Sequence, residues 1–213
     1  MRVVICTAHG PEYQVLADIT RPSVERYCTK HEYVFFYDPN RTDKDACKVA
    51  LYQYAFASGQ FGPDDIYAWA DSDLVITNSS RRIENMVYEH MPRSIHYLIG
   101  VDVNGINSGF FLARFSAEAN LFMTVANNLS VVSGWGDQTG LAQTALMEPH
   151  RSIYKEVPGR VFNSMDYAEK GWRLGELGLY INQWEPGDFA FHAAGIEEPR
   201  RSELLRHYAN IAV

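Results

Sequence analysis

The chain has 213 residues, 46% apolar and 21% charged, with 19 Lys and Arg against 26 Asp and Glu, a formal net charge of −7. That length predicts one domain with a core large enough to need no staples. The acidic balance, with no Lys/Arg-rich block to reverse it, excludes a general nucleic-acid surface but leaves room for a local basic pocket for phosphates. Cys6, Cys28 and Cys47 are too widely spaced for a disulfide framework or a zinc pattern and read as reduced, buried thiols. The opening MRVVICTAHG is too short an apolar run for a signal peptide or a membrane span, so a soluble, cytoplasmic protein is expected.

Residues 2–8 (RVVICTA) read as a short buried strand. A helical pattern follows from about Tyr13 to His31, with Val15, Leu16, Ile19, Val24, Tyr27 and Cys28 on or near one face. Pro22 is expected to break or kink it. The run YVFFY (Tyr33–Tyr37) is a second strand, stopped by Asp38-Pro39-Asn40. A helix over Asp45–Ser58 should stop at Gly59, and Ile66–Leu74 forms a third strand. Short apolar strands alternating with helices predict a parallel sheet covered on both faces, where ligands bind beyond the carboxyl ends of the strands. The second part is more mixed: strands over Ser94–Val101, Gly109–Arg114 and Gly187–Ala193, helices over Ser116–Leu129, Asp137–Met147 and Arg200–Ile211, and an irregular stretch from Glu148 to Glu185. The fold class is α/β: one domain over residues 1–213, a mostly parallel central sheet flanked by helices, with an irregular second half.

Four short stretches can carry chemistry. Asp71-Ser72-Asp73 ends the third strand, and alternate residues of an extended chain point the same way, so the two carboxylates can converge on one ion. A hard divalent cation takes one or two carboxylates plus substrate phosphates; the plainer alternative is a strand end meeting water. A second Asp-x-Asp, Asp43-Lys44-Asp45, sits in a polar loop before a helix and reads as a cap and solvated charge. Asn107-Ser108-Gly109 opens a strand, as an ordinary turn or as a place where backbone approaches a ligand and an amide meets hydroxyls. Asp137 and Gln138 start a helix, as a cap or as a carboxylate and amide at the mouth of a site. His192 ends an apolar strand before Ala193-Ala194-Gly195, as a satisfied core histidine or as a metal ligand beside carboxylates.

In order along the chain these blocks run Asp71-Ser72-Asp73, Asn107-Ser108-Gly109, Asp137-Gln138 and His192-x-x-Gly195. The set, spanning Arg2 to about Pro199, resembles the GT-A superfamily of nucleotide-sugar glycosyltransferases, near its galactosyl-, mannosyl- and xylosyltransferases. It is also similar to glycogenin-like and bacterial members that end in His-x-x-Gly-x-x-Lys-Pro. The start further resembles the amino-terminal domain of large algal-virus capsid-glycan glycosyltransferases, which leaves room for further domains in a longer chain.

The resemblance implies a Rossmann-like sheet, a nucleotide-binding half (1–104) and a sugar and acceptor half (105–213). It implies Mn²⁺ or Mg²⁺ held by Asp71, Asp73 and His192. Thr7 and Ala8 would meet the nucleoside, Tyr13 would cover a uracil ring, and Lys48 would reach phosphate or base. Ser72, Gly109 and Gly195 would lie against the donor. Asn107, Ser108, Asp137 and Gln138 would line the sugar pocket, with Asp137 and Gln138 catalytic. A UDP-sugar donor and a glycan or glycoprotein acceptor are the implied partners, with retention of configuration favoured.

One departure is plain: Glu198 stands where that pattern has Lys, so either Arg200 or Arg201 supplies the charge at a diphosphate or the closure of this segment differs. Two other classes fit less well. A pyrophosphorylase would carry a Gly-rich basic loop after the first strand, whereas TAHGPEYQ has one Gly and no Lys or Arg. A non-catalytic carbohydrate-binding module could use the four Trp and thirteen Tyr as sugar platforms but needs no metal triad.

Overall fold

A computed structural model describes residues 1–41, 47–130, 136–167 and 182–212. Six strands form the central sheet: β1 (Val3–Ala8), β2 (Val34–Asp38), β3 (Ile66–Ala70), β5 (Tyr97–Asp102), β6 (Gly105–Arg114) and β7 (Tyr154–Pro158), in spatial order β2-β1-β3-β6-β5-β7. The pairs β1–β2, β1–β3 and β5–β7 are parallel, while β6 is antiparallel to both β3 and β5. Five strands therefore run one way and β6 the other. Two short strands, β4 (Leu74–Ile76) and β8 (Ala190–His192), make a separate antiparallel pair. The helices are α1 (Gln14–His31), α2 (Cys47–Ala57), α3 (Ile83–His90), α4 (Ala117–Ser130), α5 (Asp137–Ala145) and α6 (Arg200–Ile211).

The inner strands β1 and β3 are buried on both faces, which explains their apolar runs. Val3, Ile5, Ile66, Ala68 and Leu112 face α1 and α3, which contribute Val24, Tyr27, Ile83 and Met86. Their sequence neighbours Val4, Cys6, Tyr67, Trp69 and Phe111 face the other way, onto Leu51 and Tyr52 of α2, Phe122 and Met123 of α4 and Leu141 of α5. Each large side chain so buried contributes about 1.5–3 kcal/mol. All three cysteines are buried. Among the described residues no helix is long and apolar enough to cross a membrane.

Three expectations are corrected, and of the break or kink expected at Pro22 the break is absent. The third strand ends at Ala70 rather than Leu74, because the chain bends at Asp71-Ser72-Asp73 and Leu74–Ile76 joins β8 instead. Pro22 does not break α1, which runs unbroken from Gln14 to His31. Helix interruption by proline costs about 3 kcal/mol, and here the residues around it tie the helix down: Thr20 Oγ1 donates to the Ser72 carbonyl at 2.8 Å, and Ser23 Oγ accepts from the Ile76 amide at 3.1 Å. The strand expected from Gly109 begins at Gly105, and the late strand is confined to Ala190–His192. The expected cap at Asp43-Lys44-Asp45 lies outside the described residues.

One irregularity of the sheet bears on the site. Pairing between β5 and β6 jumps from Ile99 opposite Phe111 to Gly100 opposite Asn107, so Ser108, Gly109 and Phe110 have no opposite number on β5.

Candidate functional site

Because β6 runs against its neighbours, its beginning rather than its end reaches the rim where β1 and β3 finish. The Asp71 amide donates to the Gly109 carbonyl at 2.8 Å, joining the end of β3 to that beginning. Trp69 and Asp71 project to the same side of the sheet, and the Trp69 indole N–H donates to Asp71 Oδ1 at 2.6 Å. That side is the one covered by α2 and α5, so Asp71 meets Lys48 from α2, whose Nζ is 3.0 Å from Asp71 Oδ1. The same Nζ is 2.8 Å from Asp137 Oδ2 at the start of α5, and it donates to Ser108 Oγ at 3.0 Å and the Ser108 carbonyl at 3.1 Å. Lys48 is buried; burial opposes its charge, but the Asp137 and Asp71 carboxylates outweigh that and raise its pKa.

The other carboxylate oxygen of Asp71 faces His192, whose Nε2 is 3.8 Å from Asp71 Oδ2 and 3.2 Å from Asp73 Oδ1. β8 delivers the imidazole because Leu74 pairs with His192 and the Ala193 amide donates to the Asp73 carbonyl at 3.0 Å. Ligand atoms from Asp71, Asp73 and His192 all lie within 4.8 Å of one another. The two carboxylates are held in opposite senses. Burial, with Asp73 and Asp137 nearby, raises Asp71 despite Lys48 and His192. Asp73 is also pushed up by burial, but His192 and Arg201 overcome this and lower it.

Two carboxylate oxygens and a 3% exposed imidazole whose Nε2 faces them suit a divalent ion of the Mn²⁺ or Mg²⁺ type. Gly109 makes the histidine's place. A methyl group there would lie 2.1 Å from His192 Cε1.

Beside this cluster opens a cleft of about 260 Å³ whose walls include Ala8, Tyr13, Lys48, Ser72 and Asp137. The sequence reading missed His9, Gly10, Arg41, Cys47 and Trp69, which also line it. His9 follows the end of β1 directly, and that position was the available signal. Its Nε2 pairs with the Tyr37 hydroxyl at 2.6 Å, and its Nδ1 with the Gly10 carbonyl at 2.7 Å. Of the two arginines offered in place of lysine, Arg201 reaches the cleft, with Nη1 4.0 Å from Asp73 Oδ2, whereas Arg200 pairs with Glu203 at 2.9 Å.

Several expected residues lie elsewhere. Thr7 is buried in the sheet, while Gly195 is exposed and has a left-handed φ of 70°. Ser108 is buried against Lys48. Asn107, 3% exposed, spends its side chain internally, donating to Asp102 Oδ2 at 2.8 Å and accepting from the Gly109 amide and from Asn163, both at 2.9 Å. Gln138 faces a separate groove of about 240 Å³ with Asn104, Ile106, Thr139 and Ala142, so the first turn of α5 divides its Asp and Gln between two concavities.

The α/β sheet with this rim is the fold of GT-A-type glycosyltransferases. Among solved structures, the chain is similar to a glycosyltransferase involved in glycosylation of the major capsid of PBCV-1, at 17% identity and a TM-score of 0.69, covering 97% of this chain and all of the other (100%). It is also similar to the galactosyltransferase LgtC, solved with donor and acceptor sugar analogues, at 13% identity and a TM-score of 0.60 over 99% of this chain and 96% of that one. Mouse xyloside xylosyltransferase 1 matches at 11% identity and a TM-score of 0.56 over 91% and 97%. No known protein-family profile matches the chain, and no curated protein does.

Proposed function

We propose that this chain is a metal-dependent glycosyltransferase moving a sugar from a nucleotide-sugar donor, a UDP-sugar, to a hydroxyl of a glycan or glycoprotein. The observation that carries the reading is the convergence of Asp71, Asp73 and His192 at the rim of a cleft that also holds Lys48 and Arg201. The similarity to LgtC, solved with donor and acceptor analogues, supports the donor class.

In this reading Asp71, Asp73 and His192 hold Mn²⁺ or Mg²⁺. The ion supplies Lewis-acid stabilisation of the departing diphosphate. Ala8 and Tyr13 receive the nucleoside at the end of β1. Arg201 stands on the metal side of the cleft, where it adds the positive charge that Glu198 cannot. Lys48 ties Asp71 and Asp137 together and fixes both carboxylates.

The reaction forms a bond from the acceptor oxygen to the anomeric carbon, breaks the bond from that carbon to the diphosphate, and moves the acceptor proton to the departing phosphate or to solvent. Asp137, on the cleft wall, steadies the positive charge that develops on the sugar ring. Among the described carboxylates lining the cleft, Asp71 and Asp73 face His192, and Asp137 is bound to Lys48.

Calorimetric titration of the chain with UDP, with and without Mn²⁺, tests the reading, followed by a panel of nucleotide-sugars assayed for Mn²⁺-dependent hydrolysis. Strong metal-dependent UDP binding, lost in Asp71→Ala, is expected. Sugar binding without nucleotide would replace this reading with a carbohydrate-binding module.

A further inference from the structure

Two consecutive residues, Asn163 and Ser164, are wholly buried and stand between the two parts of the candidate metal site. Asn163 faces the beginning of β6. Its Nδ2 donates to Asn107 Oδ1 at 2.9 Å and to the Asn107 carbonyl at 3.3 Å. Asn107 Oδ1 in turn accepts from the Gly109 amide at 2.9 Å, and the Gly109 carbonyl accepts from the Asp71 amide at 2.8 Å. Asn163 thus fixes the glycine whose missing side chain makes room for His192.

Ser164 faces the other way, onto β8. Its amide donates to the Ala190 carbonyl at 3.0 Å, and its carbonyl accepts from the His192 amide at 2.8 Å. Its hydroxyl donates at 2.7 Å to Oδ2 of Asp188, a carboxylate also held by Arg160 at 2.9 Å and by the Glu185 amide at 2.9 Å. One residue is therefore bound to the strand beneath the imidazole, and the next to the strand that carries it.

We propose that the Asn163-Ser164 pair is a positioning element that sets the spacing between Asp71 and His192 and thereby the affinity of the site for a divalent cation. The inference rests on the metal-site reading above. Ligand atoms must be held within roughly 0.5 Å of productive geometry, and β4–β8 pairing ties His192 only to the Asp73 side. Spacing to the Asp71 side depends on how β8 sits against Gly109, which is the gap these two residues close. Partners behind metal ligands typically change affinity by 10–100-fold when removed.

The test is Mn²⁺ titrated alone into the full chain, read by loss of the free-ion electron paramagnetic resonance signal. Asn163→Asp, which replaces the donor to Asn107 with an acceptor, is expected to weaken binding about tenfold or more. Ser164→Ala, which keeps the backbone contacts, is expected to weaken it by a smaller factor and carries the test if the first variant does not fold. Tyr52→Phe serves as the stability control. It removes a buried hydrogen bond of 2.8 Å to the Arg114 carbonyl at the far end of β6 and should leave Mn²⁺ affinity unchanged. Wild-type affinity in both Asn163 and Ser164 variants would overturn the proposal, as would an equal loss in Tyr52→Phe. A wild-type chain that binds no Mn²⁺ would overturn the metal-site reading itself and this inference with it.

Discussion

The imidazole of His192 sits in the space that a side chain at Gly109 would fill, 2.1 Å from where its first carbon would lie. The glycine thus makes the room that the imidazole occupies. Gly109→Ala should move the ring off the two carboxylates, cost about 1–3 kcal/mol through overpacking, and weaken Mn²⁺ binding at least tenfold. Isothermal calorimetry with Mn²⁺, beside a denaturant melt, reads both effects; unchanged affinity would show that the ring is not required at that place.

Lys48 is the hub between Asp71 and Asp137. Replacing it with Met keeps the buried stem but leaves two carboxylates facing each other without their cation. Removal of one member of a buried ion pair costs about 3–5 kcal/mol, so a urea midpoint should fall accordingly at neutral pH. Lowering the pH, which protonates the stranded carboxylates, should recover part of the loss. A midpoint within error of wild type would mean that water already solvates this cluster.

Arg201 is expected to act on the phosphates alone. Arg201→Ala should weaken UDP binding roughly tenfold, a loss of about 1.4 kcal/mol, while leaving uridine binding unaltered. Parallel titrations with the two ligands separate these outcomes; equal losses for both would assign the guanidinium to the nucleoside instead.

Far from the cleft, Asp65 anchors the chain start. Burial alone would raise its pKa, but the Arg2 guanidinium and the Gly62 and Arg2 amides overcome this and lower it to about 2. A depressed folded pKa contributes stability that is fully present above the ordinary value of 3.8 and is lost as pH falls towards 2. Asp65→Asn should therefore cost about 1–2 kcal/mol at pH 7 and flatten the acid limb of the stability curve between those pH values. Melts at pH 7, 4 and 2.5 check the sign, and an unchanged slope in the variant would remove Asp65 from the acid response.

Local patterning made much of this molecule readable. β1, β2, α1 and α4 follow from apolar runs and helical spacing, and the rim position of Asp71 follows from the strand–helix alternation. Two elements were overlooked. α3 carries Ile83, Met86 and Val87 at helical spacing, a signal that was present but short. β7 is an edge strand with only Val157 buried, so it lacks the apolar run of its neighbours. The site was legible as residue types but not as contacts. Asn107 looks like a ligand-facing amide until its contacts to Asp102, Gly109 and Asn163 are seen. The contact to Asn163 joins positions 56 residues apart, and no local pattern encodes it. Arg201 was named only as one of two options, because choosing between neighbours requires knowing which side of α6 faces β4.

The unmatched stretch Ser108-Gly109-Phe110 gives the sheet a deliberate flaw. A regular hairpin there would be the sturdier object, and a shortened β6 that restored full pairing with β5 would withdraw the recess in which the imidazole rests. Improvement campaigns that reward heat resistance alone will therefore favour mending this gap, and variants that emerge from them should outlast their parent while losing the recess that seats the imidazole.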